Sequence, residues 1–518
     1  MEHFPILTVL MLIPLIGASL VAGVSPSRKE LARGLALGFS LLSLSVALAL
    51  ALAFDPANPN LQFKEQHRWI PSIHVDYYLG LDGLGLLMVL LTALVTPFAL
   101  LASWRLEEKV PLYFALALFL QAGLYGAFTA LNFFHWFIFW ELTLIPAFFL
   151  VKLWGGKERG PAAWQFFVYT MAGSIAMLLG FLALYRVTGT FNFDELAALG
   201  RSGGLEALFA ARWQGLGLSG SEALLLLFCL VLLGFAVKVP LMPFHTWLPA
   251  TYAEAPTGTT MLLTGVLSKL GVYGFLRLLL PVFPMQAKAL AEPLLALAVL
   301  TIVASACAAL AQQDLKRTLA YSSVNHLGYC LLGLFAVVRY QPAPGPWPHE
   351  QTAALNGVLL QMFNHGVTAA ALFCGLGFLE QRAGGRRGLD DFGGLRSKMP
   401  VFTGLLGICL MASLGLPGLS GFVGEFLIFK GVFALAPWAA AIAALGLLVT
   451  AIFVLNILQR VFSGPLNSRW SDLPDLTVSE RLMLAPAIGL IFLLGVWPAP
   501  VINLVNATAM KLAAQLGF

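Results

Sequence analysis

The sequence predicts an all-α, polytopic membrane protein with about fourteen transmembrane helices, and three observations support this fold class. Of the 518 residues, 59% are hydrophobic and only 11% are charged, whereas a soluble domain carries about 25% charged residues. Apolar windows of about 20 residues, the length that crosses a bilayer, recur along the whole chain. Two of these windows are interrupted by proline or glycine and carry an isolated charge, which indicates broken helices at membrane depth.

The chain is predicted to form one membrane domain over residues 1–518, because no soluble insert is long enough to fold separately. The predicted spans are 5–24, 31–53, 79–103, 112–130, 132–154, 164–187, 222–244, 258–280, 289–311, 318–340, 353–380, 401–432, 438–462 and 482–508. They are grouped as three N-terminal helices (1–111), a first repeat (112–280), a second repeat (289–463) and a last helix (482–508).

The placement of lysine and arginine predicts the orientation in the membrane. Loops after odd-numbered spans hold eighteen of these residues, and loops on the opposite side hold ten. The positive-inside rule therefore places both termini on the outer side of the membrane. Arg28 and Lys29 follow the first apolar run instead of preceding it, which favours a retained first span over a cleaved signal peptide.

Several function classes are disfavoured by what the sequence lacks. No basic run with interleaved aromatic residues supports nucleic-acid binding, although the net charge is +5. The five cysteines fall in apolar spans and form no CxxC pair, so neither an iron–sulfur site nor a disulfide framework is predicted. Dinucleotide and phosphate-binding glycine motifs are absent too. We therefore expect this chain to bind neither a cofactor nor a metal.

The apolar run 222–244 contains Lys238, with Pro240 and Pro243 just behind it. A lysine at the bilayer centre costs about 2.5–3.5 kcal/mol on insertion scales, and proline breaks the helix that would hide its backbone. Such breaks are tolerated only where they are buried in protein or line a wet cavity. This segment is therefore predicted to be an ion-handling site within the membrane.

A second interrupted segment is predicted by an internal repeat. The fourth and ninth predicted spans start about 177 residues apart, and the same offset from Lys238 leads to about position 415. There, Gly415, Pro417 and Gly418 interrupt another apolar run, and Glu425 supplies a charge. Interrupted helices at corresponding positions predict two five-helix repeats of inverted topology, each containing one broken helix.

Buried charges elsewhere suggest partners for these sites. Glu141 lies well inside an apolar run, and a buried carboxylate persists either neutral or paired with a cation, for which Lys238 is the natural candidate. A static structural ion pair is the alternative interpretation. Lys269 lies about a dozen residues into its span, too deep to snorkel easily, so it either carries protons or reaches a buried carbonyl.

His326 and His365 each follow an asparagine within an apolar span. Together they favour a proton relay, because the pKa of histidine lies near neutrality, although a packing role is the alternative for either one. A metal site is less favoured by their spacing. His245, beside the first break, fits a relay or a capping role equally well.

Other polar and aromatic residues carry weaker signals. Trp136 and Trp140 are interpreted as ordinary membrane aromatics, and the basic loop from Arg382 to Lys398 is interpreted as a topology anchor. Side chains that could hold ordered water between the ionisable groups are Thr264, Ser268, Ser322, Ser323, Asn325 and Thr368.

Four segments carry a resemblance to a known family. They are WELTLIPAFFLVKLWGG (140–156), VKVPLMPFHTWLPATYAEAPTGTT (237–260), LKRTLAYSSVNHLGY (315–329) and GLPGLSGFVGEF (415–426). Together they resemble the antiporter-like membrane subunits of respiratory complex I, the type I NADH:quinone oxidoreductase, and within them the subunit M (chain 4) type. The resemblance extends over essentially the whole chain.

The resemblance implies roles for the buried ionisable residues. Glu141 and Lys238 would be the glutamate of helix five and the lysine of broken helix seven, and Lys269 the lysine of helix eight. His326 and His365 would continue the central axis. Glu425 would be the exit residue of helix twelve, where L-type subunits and related cation/proton antiporters usually carry lysine.

The sequence departs from the family pattern at three positions. The family usually reads WLPDAH where this chain has Ala250 and Tyr252 in place of the aspartate and the histidine. Ala369 stands where N-type and L-type subunits carry a lysine, which again suits the M type.

By this resemblance the chain is a proton-translocating subunit that couples electron transfer in partner subunits to proton pumping. NAD, FMN, iron–sulfur clusters and quinone would belong to those partners, which include other antiporter-like and membrane subunits. A multisubunit sodium/proton antiporter and an energy-converting hydrogenase or ferredoxin-linked complex remain alternatives. A plain substrate carrier is less favoured, because polar cavity residues beyond the ionisable series are missing.

Overall fold

A computed structural model describes residues 4–213, 217–340 and 347–516, and helices make up most of it. The first part contains α1 (Ile6–Ala22), α2 (Lys29–Ala53), α3 (Gly83–Ala102), α4 (Val110–Thr129), α5 (Phe133–Trp154), α6 (Arg159–Thr188), α7 (Phe193–Arg201), α8 (Gly204–Arg212), α9 (Gly220–Lys238) and α10 (Trp247–Glu254). Strands β1 (Gln62–Ile70) and β2 (Val75–Leu81) form an antiparallel hairpin between α2 and α3.

The remaining helices follow a span that alternates between α-helical and π-helical turns. This span contains α11 (Thr257–Leu262), α12 (Lys269–Gly274) and α13 (Leu280–Val282), with π-helical turns at Leu263–Leu267 and Phe275–Leu279. After it come α14 (Pro284–Ala289), α15 (Ala291–Leu310), α16 (Leu315–Arg339), α17 (Trp347–Arg382), α18 (Pro400–Ser413), α19 (Ser420–Leu435), α20 (Pro437–Ile457), α21 (Val478–Val496) and α22 (Ala499–Leu516).

The polytopic membrane fold is confirmed. Within the described ranges, twelve helical segments are long and apolar enough to cross a membrane, and two shorter apolar helices, Ile6–Ala22 and Pro400–Ser413, accompany them. The predicted span 401–432 is divided into α18 and α19 at its glycines and proline. Gly415 and Gly418 there adopt φ of +81° and +90°, a backbone conformation that glycine reaches without steric cost.

Two predicted boundaries are wrong. The predicted last helix 482–508 is two helices, α21 and α22, because Pro498 lacks the N–H that would continue the first one. The predicted loop 54–78 contains the β-hairpin, so the predicted span 79–103 begins as a helix only at Gly83. Asp82 fixes that start by accepting a hydrogen bond from the Gly85 N–H at 3.0 Å.

The first break lies where the prolines predicted it. Helix α9 begins with a capping box between Ser219 and Glu222 and ends at Lys238. Pro240 and Pro243 supply no N–H, and an irregular turn then leads into α10. The helix breaks near Lys238 and near Gly415 therefore both lie at the predicted positions. The inverted relation of the two repeats stays a prediction.

Ion pairs connect polar segments at both ends of the helical bundle. At one end, Glu107 binds Lys29 and Arg33, and Arg382 binds Glu480. At the other end, Arg277 binds Asp82 at 2.5 Å. Each of these ion pairs joins segments at one end of the bundle, and the orientation of the two ends in the membrane stays a prediction.

Burial separates central helices from peripheral ones. The apolar windows of α17, of α16 and of the span Thr257–Val282 are 94–100% buried inside the protein, whereas those of α2 and α21 are 28% and 22% buried. The three central segments carry His365, His326 and Lys269. These three ionisable residues therefore lie in the middle of the bundle, away from its periphery.

Candidate functional site

Lys269 lies at the centre of the bundle and is fully buried. Its ammonium Nζ donates a hydrogen bond to the Thr264 carbonyl oxygen at 2.6 Å and lies 2.8 Å from His365 Nδ1. A weaker contact at 3.4 Å joins Nζ to the Ser268 hydroxyl. The lysine thus reaches a buried carbonyl and also contacts an ionisable partner, and its role as a proton carrier stays a prediction.

A π-helical turn makes this arrangement possible. The Ser268 N–H donates to the Leu263 carbonyl five residues earlier, at 3.1 Å, in place of the Thr264 carbonyl that a regular α-helix would use. The Thr264 carbonyl then accepts from the Ser268 hydroxyl and from Lys269 Nζ. The local change in helix type therefore provides an acceptor for a cation in an apolar interior.

His365, His326 and Glu425 extend the contacts from Lys269. The two imidazole rings lie 5.2 Å apart between centroids. His326 Nδ1 lies 3.1 Å from Glu425 Oε1, and Nε2 lies 2.9 Å from the Ser413 hydroxyl. The Gln361 amide donates to the same Glu425 oxygen at 3.2 Å. Four ionisable side chains from four helices therefore follow one another through the second half of the bundle.

A small polar cavity of about 20 Å³ adjoins these side chains. Both histidines and Glu425 line it, and a cavity of this size holds about one water molecule. Other polar side chains that line it are Ser322, Ser323, Gln361, Asn364, Thr368 and Ser413. The Thr368 hydroxyl and the Asn364 amide oxygen have no partner among the described protein groups, so a water there would satisfy buried groups.

Lys238 has a different neighbour from the one predicted. Its Nζ lies 4.9 Å from the centroid of the Trp140 ring, over the ring. Among the ion pairs within 4.0 Å in the described ranges, none joins Lys238 to Glu141, although the carboxylate is near enough for a Coulomb interaction. One buried oxygen of Glu141 has no hydrogen-bond partner. The predicted direct pair is thus replaced by a cation–π contact.

Apolar packing separates Lys238 from Lys269. Gly271 brings the Lys269 helix so close to Val239 that an added Cβ would lie 2.8 Å from the Val239 nitrogen. Gly274 lies against the Phe235 ring in the same way. Across the described ranges, no hydrogen bond joins the two lysines. The ionisable residues therefore form two groups, one with Lys238 and Glu141 in the first predicted repeat and one that joins Lys269 of the first repeat to residues of the second.

His245 is not part of either group. It lies half-buried in the irregular turn after α9, and its ring is 6.1 Å from that of Tyr321. Its Nδ1 has no hydrogen-bond partner within the described part of the chain. The relay and capping interpretations of His245 both stay predictions.

Three residues of the site were missed or misinterpreted. Trp140 was interpreted as an ordinary membrane aromatic, yet it is buried and lies under Lys238. Ser413 and Gln361 were not singled out, although both contact His326. Gln361 lies four residues before His365 in a helix, a spacing that places both on one face and could have been noticed.

The basic loop from Arg382 to Lys398 closes one end of the bundle. The Arg387 guanidinium lies 2.8 Å from Glu254 and 2.6 Å from Asp314, and it also faces Glu380. Burial alone would lower the pKa of Arg387, but the hydrogen bond with Glu254 and these carboxylates raise it above the ordinary range. Because Arg387 joins α10, α16 and α17, the loop links the two predicted repeats.

The fold and the site together define a class of protein. Buried, unmodified lysines, histidines and glutamates in a row across a helical bundle are typical of membrane proteins that move protons or cations. Broken helices beside those residues are typical of the same class.

Comparisons with known proteins identify the family within that class. Residues 130–452 match the family described as NADH:quinone oxidoreductase/Mrp antiporter, transmembrane, and the chain belongs to it. NADH-quinone oxidoreductase subunit M of Rhodobacter capsulatus is 36% identical over 98% of this chain and 96% of its own length. F(420)H(2) dehydrogenase subunit M of Methanosarcina mazei is 37% identical over 99% of both.

A solved structure agrees with these relatives. A chain of respiratory complex I from Thermus thermophilus, determined with bound NADH, superimposes with a TM-score of 0.83. It is 30% identical, over 99% of this chain and 100% of that one. The resemblance found from the four motifs is therefore confirmed.

Proposed function

We propose that this chain is the proton-translocating, antiporter-like subunit M of a bacterial NADH:quinone oxidoreductase. The observation that carries the proposal is the series of neighbouring side chains from Lys269 through His365 and His326 to Glu425. Each of these side chains can hold or release a proton, and Lys269, His326 and His365 lie in the most buried helices of the bundle.

In this mechanism, Lys238 and Glu141 receive the signal from the neighbouring subunit. A change of charge there alters how strongly the ammonium interacts with the carboxylate, and a proton then moves to Lys269. At an effective dielectric near 20, two charges 4 Å apart interact by about 4 kcal/mol. Moving one charge against 100 mV costs about 2.3 kcal/mol, so a change in one such interaction is large enough to drive the step.

The second half then carries the proton outward. Lys269 passes it to His365, with which it is in contact, and the neighbouring ring of His326 receives it next. Because no hydrogen bond joins the two imidazoles among the described residues, a water in the adjoining cavity would bridge the histidines. Glu425, beside His326, releases the proton from the series.

The redox chemistry belongs to partner subunits in this proposal. NAD, FMN, iron–sulfur clusters and quinone would be bound there, and this chain would hold no redox centre of its own. Its partners would be the other antiporter-like and membrane subunits, within a bacterial inner membrane. Both termini would lie on the periplasmic side, since eighteen lysines and arginines lie in the loops assigned to the inside.

The experiment is donor-driven proton pumping in membrane vesicles, recorded together with quinone-linked NADH oxidation. We expect Glu141→Gln and Lys238→Ala to lose most of both activities while the complex still assembles. Lys430→Ala is the matched control, because Lys430 pairs with Glu350 on a half-exposed surface, and such pairs contribute little. Native pumping by both site variants would contradict the proposal.

A second electron donor is favoured by one comparison. The relative that is a subunit of F(420)H(2) dehydrogenase is as similar to this chain as the NADH-linked one. The same vesicles should therefore be supplied with reduced F(420) in place of NADH. Pumping with reduced F(420) but not with NADH would assign this chain to an F(420)H(2) dehydrogenase complex, and the proposed proton path would stay the same.

A further inference from the structure

Trp140 contacts one charged group of the first repeat, Lys238, and directly precedes the other, Glu141, in the chain. Lys238 Nζ stands 4.9 Å from the centroid of its ring, within the distance at which an aromatic face attracts a cation. Trp140 precedes Glu141 in the chain, so the ring and the carboxylate both compete for the same ammonium. The aromatic face holds that ammonium, because no contact within 4.0 Å joins Lys238 and Glu141 among the described residues.

The Trp140 ring is held firmly in this orientation. Its Nε1 donates a hydrogen bond to the Ser174 hydroxyl at 2.9 Å, and the residue is 2% exposed. Phe235 meets the ring edge-on with centroids 5.6 Å apart, and Trp136 packs on it at 4.9 Å. The ring therefore cannot turn its face away from Lys238 without disturbing three neighbours.

Ser174 connects the ring to the carboxylate. Its hydroxyl accepts from Trp140 and also interacts with the Glu141 side chain. One Glu141 oxygen remains buried and without a hydrogen-bond partner, so it is available to an approaching cation. A buried carboxylate with a free oxygen gains strongly from such an approach.

We propose that Trp140 is a positioning residue that gives the Lys238 ammonium a second resting place in competition with Glu141. The ammonium rests over the ring in one state and contacts the carboxylate in the other. Because a desolvated cation–π contact contributes about 2 kcal/mol, the ring would change the ratio of the two states about 30-fold. The inference rests on the proposed function, in which the interaction of Lys238 with Glu141 is altered during pumping.

The test weakens the ring face without changing its shape. Mono-, di- and trifluorinated tryptophan, introduced at position 140 of the whole complex by nonsense suppression, progressively reduce the affinity of the face for a cation. We expect the pH at which pumping is half-maximal to move in step with the fluorine count, by up to about 1.5 units. A residue that only fills space would leave this pH profile unchanged.

Trp136 is the matched control. It lies one turn earlier on the same helix, is fully buried and also meets Phe235, at 6.0 Å, but it has no described contact with Lys238. The same fluorinated residues at position 136 should leave the pH profile where it is. An unchanged profile at position 140, or an equal movement at both positions, would overturn the inference.

A substitution adds a second measurement. Trp140→Leu removes the face altogether and should move the profile at least as far as trifluorination, whereas Trp140→Phe should move it less. If Trp140→Leu fails to assemble, the fluorinated series still decides the question. Normal pumping by Glu141→Gln and Lys238→Ala would contradict the proposed function itself. If only the inference fails, these two variants stay inactive and the fluorinated series has no effect.

Discussion

Replacing Glu425 by Gln should slow pumping by about 10- to 100-fold. The substitution preserves the shape of the side chain. In the native protein the Gln361 amide donates to Glu425 Oε1 at 3.2 Å, and the amide oxygen of the variant can accept the same hydrogen bond. What disappears is the negative charge 3.1 Å from His326 Nδ1. At an effective dielectric near 20, two opposite unit charges at that distance interact by about 5 kcal/mol before the cost of desolvation.

The net loss is smaller than this gross figure because burial already penalises the carboxylate. Hydrogen bonds to charged groups contribute about 1.5–3 kcal/mol net. If the protonated His326 lies on the rate-limiting path, this loss corresponds to about 10- to 100-fold in rate. Pumping should therefore fall, and electron transfer in the coupled complex should fall with it.

The assay compares proton uptake and donor oxidation in vesicles of native and Glu425→Gln complexes at equal content of this chain. Glu350→Gln is the control, because it also removes one carboxylate, and the pair of Glu350 with Lys430 lies on a more exposed surface. That control should pump at the native rate. Native pumping by the assembled Glu425→Gln complex would refute the path through His326 and Glu425.

Two further predictions concern stability. Desolvation raises the pKa of buried Asp82, but the interaction with Arg277 lowers it by more, so the net shift is downward. Asp82→Asn should therefore destabilise the protein by roughly 3 kcal/mol at neutral pH. The stabilisation by the ionised Asp82 is present above the pKa of about 3.9 that an aspartate has in the unfolded chain, and it disappears as the pH falls through the pKa of Asp82 in the folded protein. The thermal melts of the variant and the native protein should therefore converge in acid. Gly271→Ala should destabilise the protein by about 1–3 kcal/mol and lower its melting temperature, because the added Cβ would collide with Val239. Gly404→Ala is the control and should melt like the native protein, because its Cβ would meet nothing within 4 Å. Equal melting of the two alanine variants would contradict the packing argument.

The sequence predicted the positions of the two helix breaks because the signal is local. Proline at 240 and 243 removes backbone donors, and the glycines at 415 and 418 accept φ values that other residues avoid. The span edges were less predictable. The β-hairpin before Gly83 depends on how flanking polar segments pack, which apolar window lengths do not report. The division of the last helix follows from the missing N–H of Pro498, a local signal that an apolar window also does not report.

The ionisable residues were recognisable for a similar reason. A lysine or glutamate within an apolar run has a high transfer cost wherever the run is placed, so Glu141, Lys238, Lys269 and Glu425 were visible one at a time. Trp140 was not, because an aromatic residue in a membrane span costs nothing to bury. Its role depends on what faces it.

Composition and local chemistry thus determined the membrane class, the broken helices and the candidate charges. The tertiary structure alone decided which charges meet. Lys269 contacts His365 across 96 residues of chain, and His326 contacts Glu425 across 99, whereas Lys238 lies over Trp140 and outside ion-pair distance of Glu141. The free-energy cost of transferring a charged side chain into the membrane is a property of one residue in its own helix. A contact depends on how two helices pack, and a membrane span can present the same residue to any of several neighbours.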